Sequence, residues 1–252
     1  MKRILAVSLI SLAALAGMAQ TCVVTHESLT TIGDNDTFAG ELQNDSGVDI
    51  LQHKFRIAFL NSNGAVIESR TVDGCLRSLQ AGESDFFAVS SNQPHQSTTI
   101  GLARLANLAE DPNFKVGRVE EGDIDVHEST ASREATTLTV EGKITNHDSD
   151  TLEDPNVCVV VWDDDDRVIT TAKQTNIDDL DEDETFDFSI EIDVPDDTEK
   201  VDHVDVWADG LEDDDPVSPG SQKDVDVTEI ATATPTTTST ATATPTATPE
   251  AP

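Results

Sequence analysis

The chain has 252 residues, with 50 acidic against 15 basic side chains and a formal net charge of −35. Such a field repels nucleic acid and anionic membranes and favours cations or basic partners, and with no basic stripe anywhere nucleic-acid binding is set aside. Three cysteines are too few for a disulfide scaffold.

In chain order, Lys2 and Arg3 precede an apolar run from Ile4 to Ala16 that closes on the small residues of Gly17-Met18-Ala19. This predicts an export signal over residues 1–19, shorter than the roughly 20 apolar residues a spanning helix needs. Cleavage after Ala19 predicts a secreted or cell-surface protein that is not integral to a membrane once the signal is gone. Cys22 leaves lipoprotein processing open, although Thr21 precedes it where Gly or Ala is usual. Export permits oxidation. Cys22 and Cys75 lie in the first half of the chain and are the expected disulfide, with Cys158 free; three unpaired thiols stay open as the alternative.

An internal repeat organises the rest. "THES" (Thr25 to Ser28) recurs as "VHES" (Val126 to Ser129), 101 positions on, and "FAGELQN" (Phe38 to Asn44) lies on "VEGKITN" (Val140 to Asn146) at 102. "FRIAFLNSNGAVI" (Phe55 to Ile67) lies on "VCVVVWDDDDRVI" (Val157 to Ile169) at 102, and "LQAGESDFFAV" (Leu79 to Val89) on "LDEDETFDFSI" (Leu180 to Ile190) at 101. Two copies of one domain follow. Phe55, Ile57 and Phe59, and Val157, Val159 and Val161, alternate as in strands with one buried face; "TFDFSIEIDV" (Thr185 to Val194) alternates throughout, and "VDHVDVWA" (Val201 to Ala208) reads as the last strand. Only Gly101 to Glu110 is ambiguous between helix and strand. The prediction is an all-β chain of two tandem immunoglobulin-like antiparallel sandwiches, residues 21–110 and 111–215, then a disordered linker and tail over 216–252. From Ala231 the sequence is Thr, Pro and Ala without core-forming residues, a composition that stays extended as a stalk or spacer.

The stretch from Phe38 to Phe87, with Gly40, Asn44, Phe55, Phe59-Leu60-Asn61, Gly64, Gly82 and Glu83, resembles the FxLYD domain of prokaryotic secreted and surface proteins. The second copy supplies Gly142, Asn146, Val161-Trp162-Asp163 and Glu184, but has Asp166 and Asp183 where glycine is expected; the Tyr of the family name is absent. The resemblance implies an immunoglobulin-like sandwich with no common catalytic function.

The candidate chemistry is carboxylate chemistry. Asp163, Asp164, Asp165 and Asp166 fall where the first copy has Asn61-Ser62-Asn63-Gly64, so they read first as a hairpin tip. Calcium held by clustered carboxylates is the sharper alternative, and these four are the candidate metal ligands. Asp outnumbers Glu by 32 to 18, which also fits a halophilic surface that stays soluble in concentrated salt. His26-Glu27 and His127-Glu128 repeat at similar places and are read as ends of equivalent first strands. Asn35-Asp36-Thr37 and Asn44-Asp45-Ser46 are possible glycan acceptors. No zinc spacing, nucleophile elbow or phosphate loop is present. The expectation is a non-enzymatic binding or spacer module for an unknown protein or glycan, with no cofactor unless calcium. The alternative is a calcium- or salt-responsive structural module, and a hydrolase ranks third.

Overall fold

The computed structural model describes residues 22–45, 47–51, 54–61, 63–94, 100–107, 115–117, 119–196 and 201–230. The export signal over 1–19 and the Thr/Pro tail from 231 lie outside the described residues, as does the side chain of Phe55. No helix among them is long and apolar enough to cross a membrane. The described chain is all-β, two tandem immunoglobulin-like sandwiches.

The first sandwich is built from β1 (Cys22–Ile32), β2 (Asn35–Asn44), β3 (Asp49–Leu51), β4 (Lys54–Asn61), β5 (Val66–Asp73), β6 (Ser78–Leu79), β7 (Ser84–Pro94), β8 (Ile100–Asn107) and β9 (Lys115–Gly117). One antiparallel sheet runs β1-β2-β7 and the facing one β5-β4-β8, with a small β6-β3-β9 sheet at one end. Period-two alternation decides the core: Phe38, Leu42, Ile57, Phe59, Phe87 and Val89 pack between the sheets. Of the ambiguous stretch, residues 101–107 belong to strand β8, paired along β4, and residues 108–110 lie outside the described residues.

The second sandwich comprises β10 (Ile124–Glu134), β11 (Thr137–Asn146), β12 (Glu153–Asp163), β13 (Val168–Gln174), β14 (Thr185–Asp193), β15 (Val201–Glu212), β16 (Asp215–Pro216) and β17 (Gly220–Glu229). Its strands follow the order β13-β12-β15-β17-β10-β11-β14. β17 joins the two halves, antiparallel to β15 and parallel to β10. This moves two expected limits. The sandwich does not end at residue 215, and Val201 to Ala208 is not its last strand. Val225 is buried in the core and Val227 packs against it. Three acids stand among the ten residues of β17, so its two-residue period is weak, and pairing on both edges is what orders it.

The repeat is exact in register. β1 and β2 pair Cys22 with Asn44 and break register between Thr25 and Ser28; β10 and β11 pair Ile124 with Asn146 and break between His127 and Thr130. The shared offset is 102, so the bulge residue His26 (φ 48°) corresponds to Glu128 (φ 54°). The two His-Glu pairs are therefore one position out of step, and they sit at a mid-strand bulge rather than at a strand end. Asn44 and Asn146, both 0% exposed, do the same work: Nδ2 donates to Val48 O (2.8 Å) and Leu79 O (2.9 Å) in one copy, and to Asp150 O (2.8 Å) and Leu180 O (2.9 Å) in the other. Gly40 and Gly142 lie beneath Phe87 and Phe188, where a Cβ would come within 3.2 Å and 2.6 Å of ring atoms. Glycine is required there because the aromatic ring of the neighbouring strand covers the backbone.

Candidate functional site

The four aspartates make a turn that copies the one in the first sandwich atom for atom. Asn61 N donates to Ala65 O and Gly64 N to Asn61 O, both 2.9 Å; Asp163 N donates to Arg167 O (3.0 Å) and Asp166 N to Asp163 O (3.2 Å). Asn61 Oδ1 accepts from Asn63 N and Ala65 N, as Asp163 Oδ1 accepts from Asp165 N and Arg167 N. Gly64 (φ 78°) is matched by Asp166 (φ 56°), and Gly82 (φ 85°) by Asp183 (φ 59°); aspartate tolerates the left-handed region better than most side chains. Asp163 is buried, and its Oδ2 also accepts from Arg167 Nε (2.8 Å) and Nη2 (2.5 Å). Its carboxylate is engaged by Arg167 and the turn backbone, and Asp163 to Asp166 do not converge into a group of three or more potential metal ligands.

The densest chemistry lies at the junction of the two sandwiches. Ala39, Phe86 and Ala88 point outward from the first sandwich and meet Cys158, Val160, Trp162, Val168 and Trp207 on the outer face of the second. β12 is thus buried on both faces: Val157, Val159 and Val161 in its own core, Cys158, Val160 and Trp162 in the junction. This revises the expectation of one buried face and explains the unbroken apolar run ahead of the aspartates. Phe86 meets Trp162 edge to face (5.8 Å between centroids, 82°) and Trp207 at 5.6 Å. Positions 39, 86 and 88 correspond to Glu141, Asp187 and Ser189 in the second copy, which are polar and exposed.

The expected Cys22–Cys75 disulfide is not formed. Cys75 bonds Cys158 across the junction, 83 residues away with Cα atoms 5.6 Å apart, and Cys22 is free. Cys22 begins β1, pairs with Asn44 and packs against the first core; burial, and then the charge of Asp45, push its thiol up to about 11. Proximity in sequence misdirected the pairing, because the partner of Cys75 is supplied by the docked face of the other copy.

Beside the disulfide, Asp209 is 2% exposed. It accepts from Arg77 N (2.6 Å) and Asn156 Nδ2 (3.0 Å), while Asn156 Nδ2 also donates to Cys75 O (2.9 Å). The Arg77 guanidinium reaches Asp209 at 3.7 Å and donates to Asp154 O. Burial holds the Asp209 carboxyl above its ordinary range, opposed by the Arg77 N–H, by Asn156 and by the charges of Arg77 and Lys173. His26 Nδ1 donates to Asp166 O (2.6 Å), Ser28 Oγ to Val168 O (2.5 Å) and Lys173 Nζ to Gly74 O (2.6 Å), all across the same junction.

On the rim, His203, Asp205 and Asp224 place one potential ligand atom each within 4.8 Å of one another, the sole such group of three among the described residues. His203 and Asp205 are two apart on β15 and share its outer face; Asp224 comes from the irregular start of β17, with φ 56°. His203 stacks on Trp162 (5.8 Å, 11°), and Asp224 N donates to Asp205 Oδ1 (2.9 Å). Burial raises the Asp205 carboxyl, against that hydrogen bond and the charges of His203 and Lys223. The H-x-D spacing of 203–205 was visible in the sequence; the arrival of Asp224 was not, because it depends on β17. The buried amide of Asn44 is committed to backbone carbonyls, which removes it as a glycan acceptor in the folded protein.

The fold and junction define a class: an all-β protein of two immunoglobulin-like sandwiches fused face to face. Residues 118–214, the larger part of the second sandwich, match a family described as "Domain of unknown function (DUF7490)". No curated protein matches. Among solved structures the chain is similar to red sea bream transglutaminase, with 12% identity and a TM-score of 0.28 over 81% of this chain and 31% of that one. It is also similar to a β-glucuronidase of glycoside hydrolase family 2 (10%, 0.29, 78% and 25%). A third likeness is Bacteroides uniformis β-glucuronidase 2 (13%, 0.28, 76% and 26%). The chain spans a third or less of the length of each.

Proposed function

We propose that this is a non-enzymatic exported or cell-surface protein, a binding or spacer module in which two sandwiches act as one stiff body and present their free surfaces to a protein or glycan. The observation that carries the reading is the junction: an aromatic contact and a Cys75–Cys158 disulfide hold the copies together. A disulfide of this kind belongs to an oxidising compartment, in line with the export signal read over residues 1–19. The Thr/Pro tail suits a spacer, and the FxLYD resemblance favours a surface module. The test is peptide mass mapping of the natural protein recovered from its cells. The reading expects a chain that starts after Ala19 and a Cys75–Cys158 linked peptide; a chain that retains Met1 with both thiols alkylatable overturns it.

A second reading, a structural module that responds to salt or calcium, is favoured by the crowding of charge at one end of the second sandwich. The Glu212 carboxyl is raised first by burial and then by Asp148, Asp150, Asp213 and Glu120. Cations that screen or bind these groups would stabilise the second sandwich.

A further inference from the structure

Among the described residues the first sandwich has no strand in the place where β17 closes the second, and we propose that the open slot between β1 and β8 takes an extended peptide strand from a partner. In the second sandwich that slot is filled by β17, which pairs Ala131, Ser132 and Arg133 of β10 with Val227, Thr228 and Glu229 in parallel. On its other side it pairs antiparallel with β15 from His203 to Ala208. At the offset of 101 that aligns β8 with β15, the residues corresponding to β17 are 119–128. The chain spends them elsewhere: Glu120 bridges to Val217, and β10 begins at Ile124. The tandem connection itself consumes the closing strand. Among the described residues β1 and β8 each pair on one side only, with β2 and β4.

Burial reports the same opening independently. Ile124, Val126 and Ala131 of β10 are 8%, 4% and 4% exposed. Their counterparts Cys22, Val24 and Leu29 on β1 are only partly buried against the first core, and Thr31 is exposed where Arg133 is buried. These side chains are one strand short of a covered core.

The filled slot states what fits. The occupant is an extended segment of about ten residues, as β17 is, with apolar side chains at alternate positions like Val225 and Val227. It would run parallel to β1 along Leu29 to Thr31 and antiparallel to β8 along Leu102 to Asn107. Backbone hydrogen bonds give such a strand its affinity and the alternate side chains its selectivity. This inference rests on the binding-module reading and names the class of its partner as an unfolded or extended polypeptide rather than a glycan.

Hydrogen exchange on the full oxidised chain tests it, with the synthetic peptide Gly-Ser-Gln-Lys-Asp-Val-Asp-Val-Thr-Glu, the sequence of β17, as probe. Free protein should exchange faster at Leu29–Thr31 and Leu102–Asn107 than at Ala131–Arg133 and His203–Ala208. Excess peptide should slow the first pair of segments by about tenfold and leave the second pair unchanged. Segments of β1 and β8 already as protected as those of β10 and β15 would show that the chain fills its own slot and overturn the proposal. So would an absence of slowing, or equal slowing by a scrambled peptide. These outcomes are read on protein whose N-terminus and disulfide have been mapped, so they are separate from failure of the export reading.

Discussion

Phe86 of the first sandwich stands edge-on to Trp162 of the second, ring centroids 5.8 Å apart, and Phe87, its neighbour in sequence, turns the other way into the first core. The doublet thus serves two cores at once. Truncating Phe86 to Ala should cost about 3 kcal/mol without opening the first core, and denaturant unfolding should change from one transition to two as the copies uncouple. Phe87→Ala should instead lower the transition of the first sandwich alone. Tryptophan fluorescence reports the first change directly, since both tryptophans lie in the junction.

The disulfide closes a long loop. With its cysteines 83 positions apart, the loop-closure relation sets its contribution at about 4.5 kcal/mol. Cys75→Ser with Cys158→Ser should therefore lower the denaturation midpoint substantially. A dithiol reductant should have little effect on the native protein, where both cysteines are buried, and a large one after partial unfolding. Alkylation of Cys75 in native protein at low denaturant would contradict this.

Asp209 sets a pH dependence. Its carboxyl is raised in the folded state, mainly by burial, so its stabilising contribution is complete below the unfolded value of about 3.9 and is lost as pH rises through the native value. Asp209→Asn keeps a hydrogen-bonding side chain and removes the charge; its stability relative to the parent should increase as pH rises from 4 toward neutrality, by the sign of that shift. Asp209→Ala should cost about 1–3 kcal/mol near pH 4, because Arg77 N and Asn156 lose their acceptor, and the cost should shrink as pH rises, by the same linkage. Urea midpoints across that range decide the matter.

Asp166 and Asp183 hold positive φ where the first copy has glycine. Asp166→Gly and Asp183→Gly should each stabilise the second sandwich by up to about 1 kcal/mol, since glycine adopts this region without a Cβ clash. Loss of stability on thermal unfolding would show that the side chains' own contacts outweigh the backbone strain, as at Asp183, whose Oδ1 lies 3.1 Å from His147 Nδ1.

Raising NaCl from about 0.1 M to about 1 M shortens the screening length to roughly 3 Å and should raise the melting temperature of the second sandwich. The expected result is the same rise with calcium or with chelator, because Asp163 already accepts from Arg167 and the turn backbone. A calcium-specific rise that survives Asp163→Ser but vanishes with His203→Ala would place an ion at His203, Asp205 and Asp224.

The sequence by itself determined whatever depends on local periodicity and on the repeat. The main alternating strands of both sandwiches, the glycines beneath Phe87 and Phe188, the buried asparagines at 44 and 146 and the turn at Asp163–Asp166 were legible, because a two-residue period states which face is buried and a repeated residue states where the backbone has a special need. Only the tertiary structure decided what meets across distance. It chose Cys158 rather than Cys22 for Cys75, buried the second face of β12 beneath Phe86, brought Asp224 to His203, and recruited the acid-rich β17 to close one sandwich while its counterpart residues open the next. Alternation shows that a face is covered, yet the identity of the cover is set by docking between copies more than 80 residues apart, for which no local pattern exists.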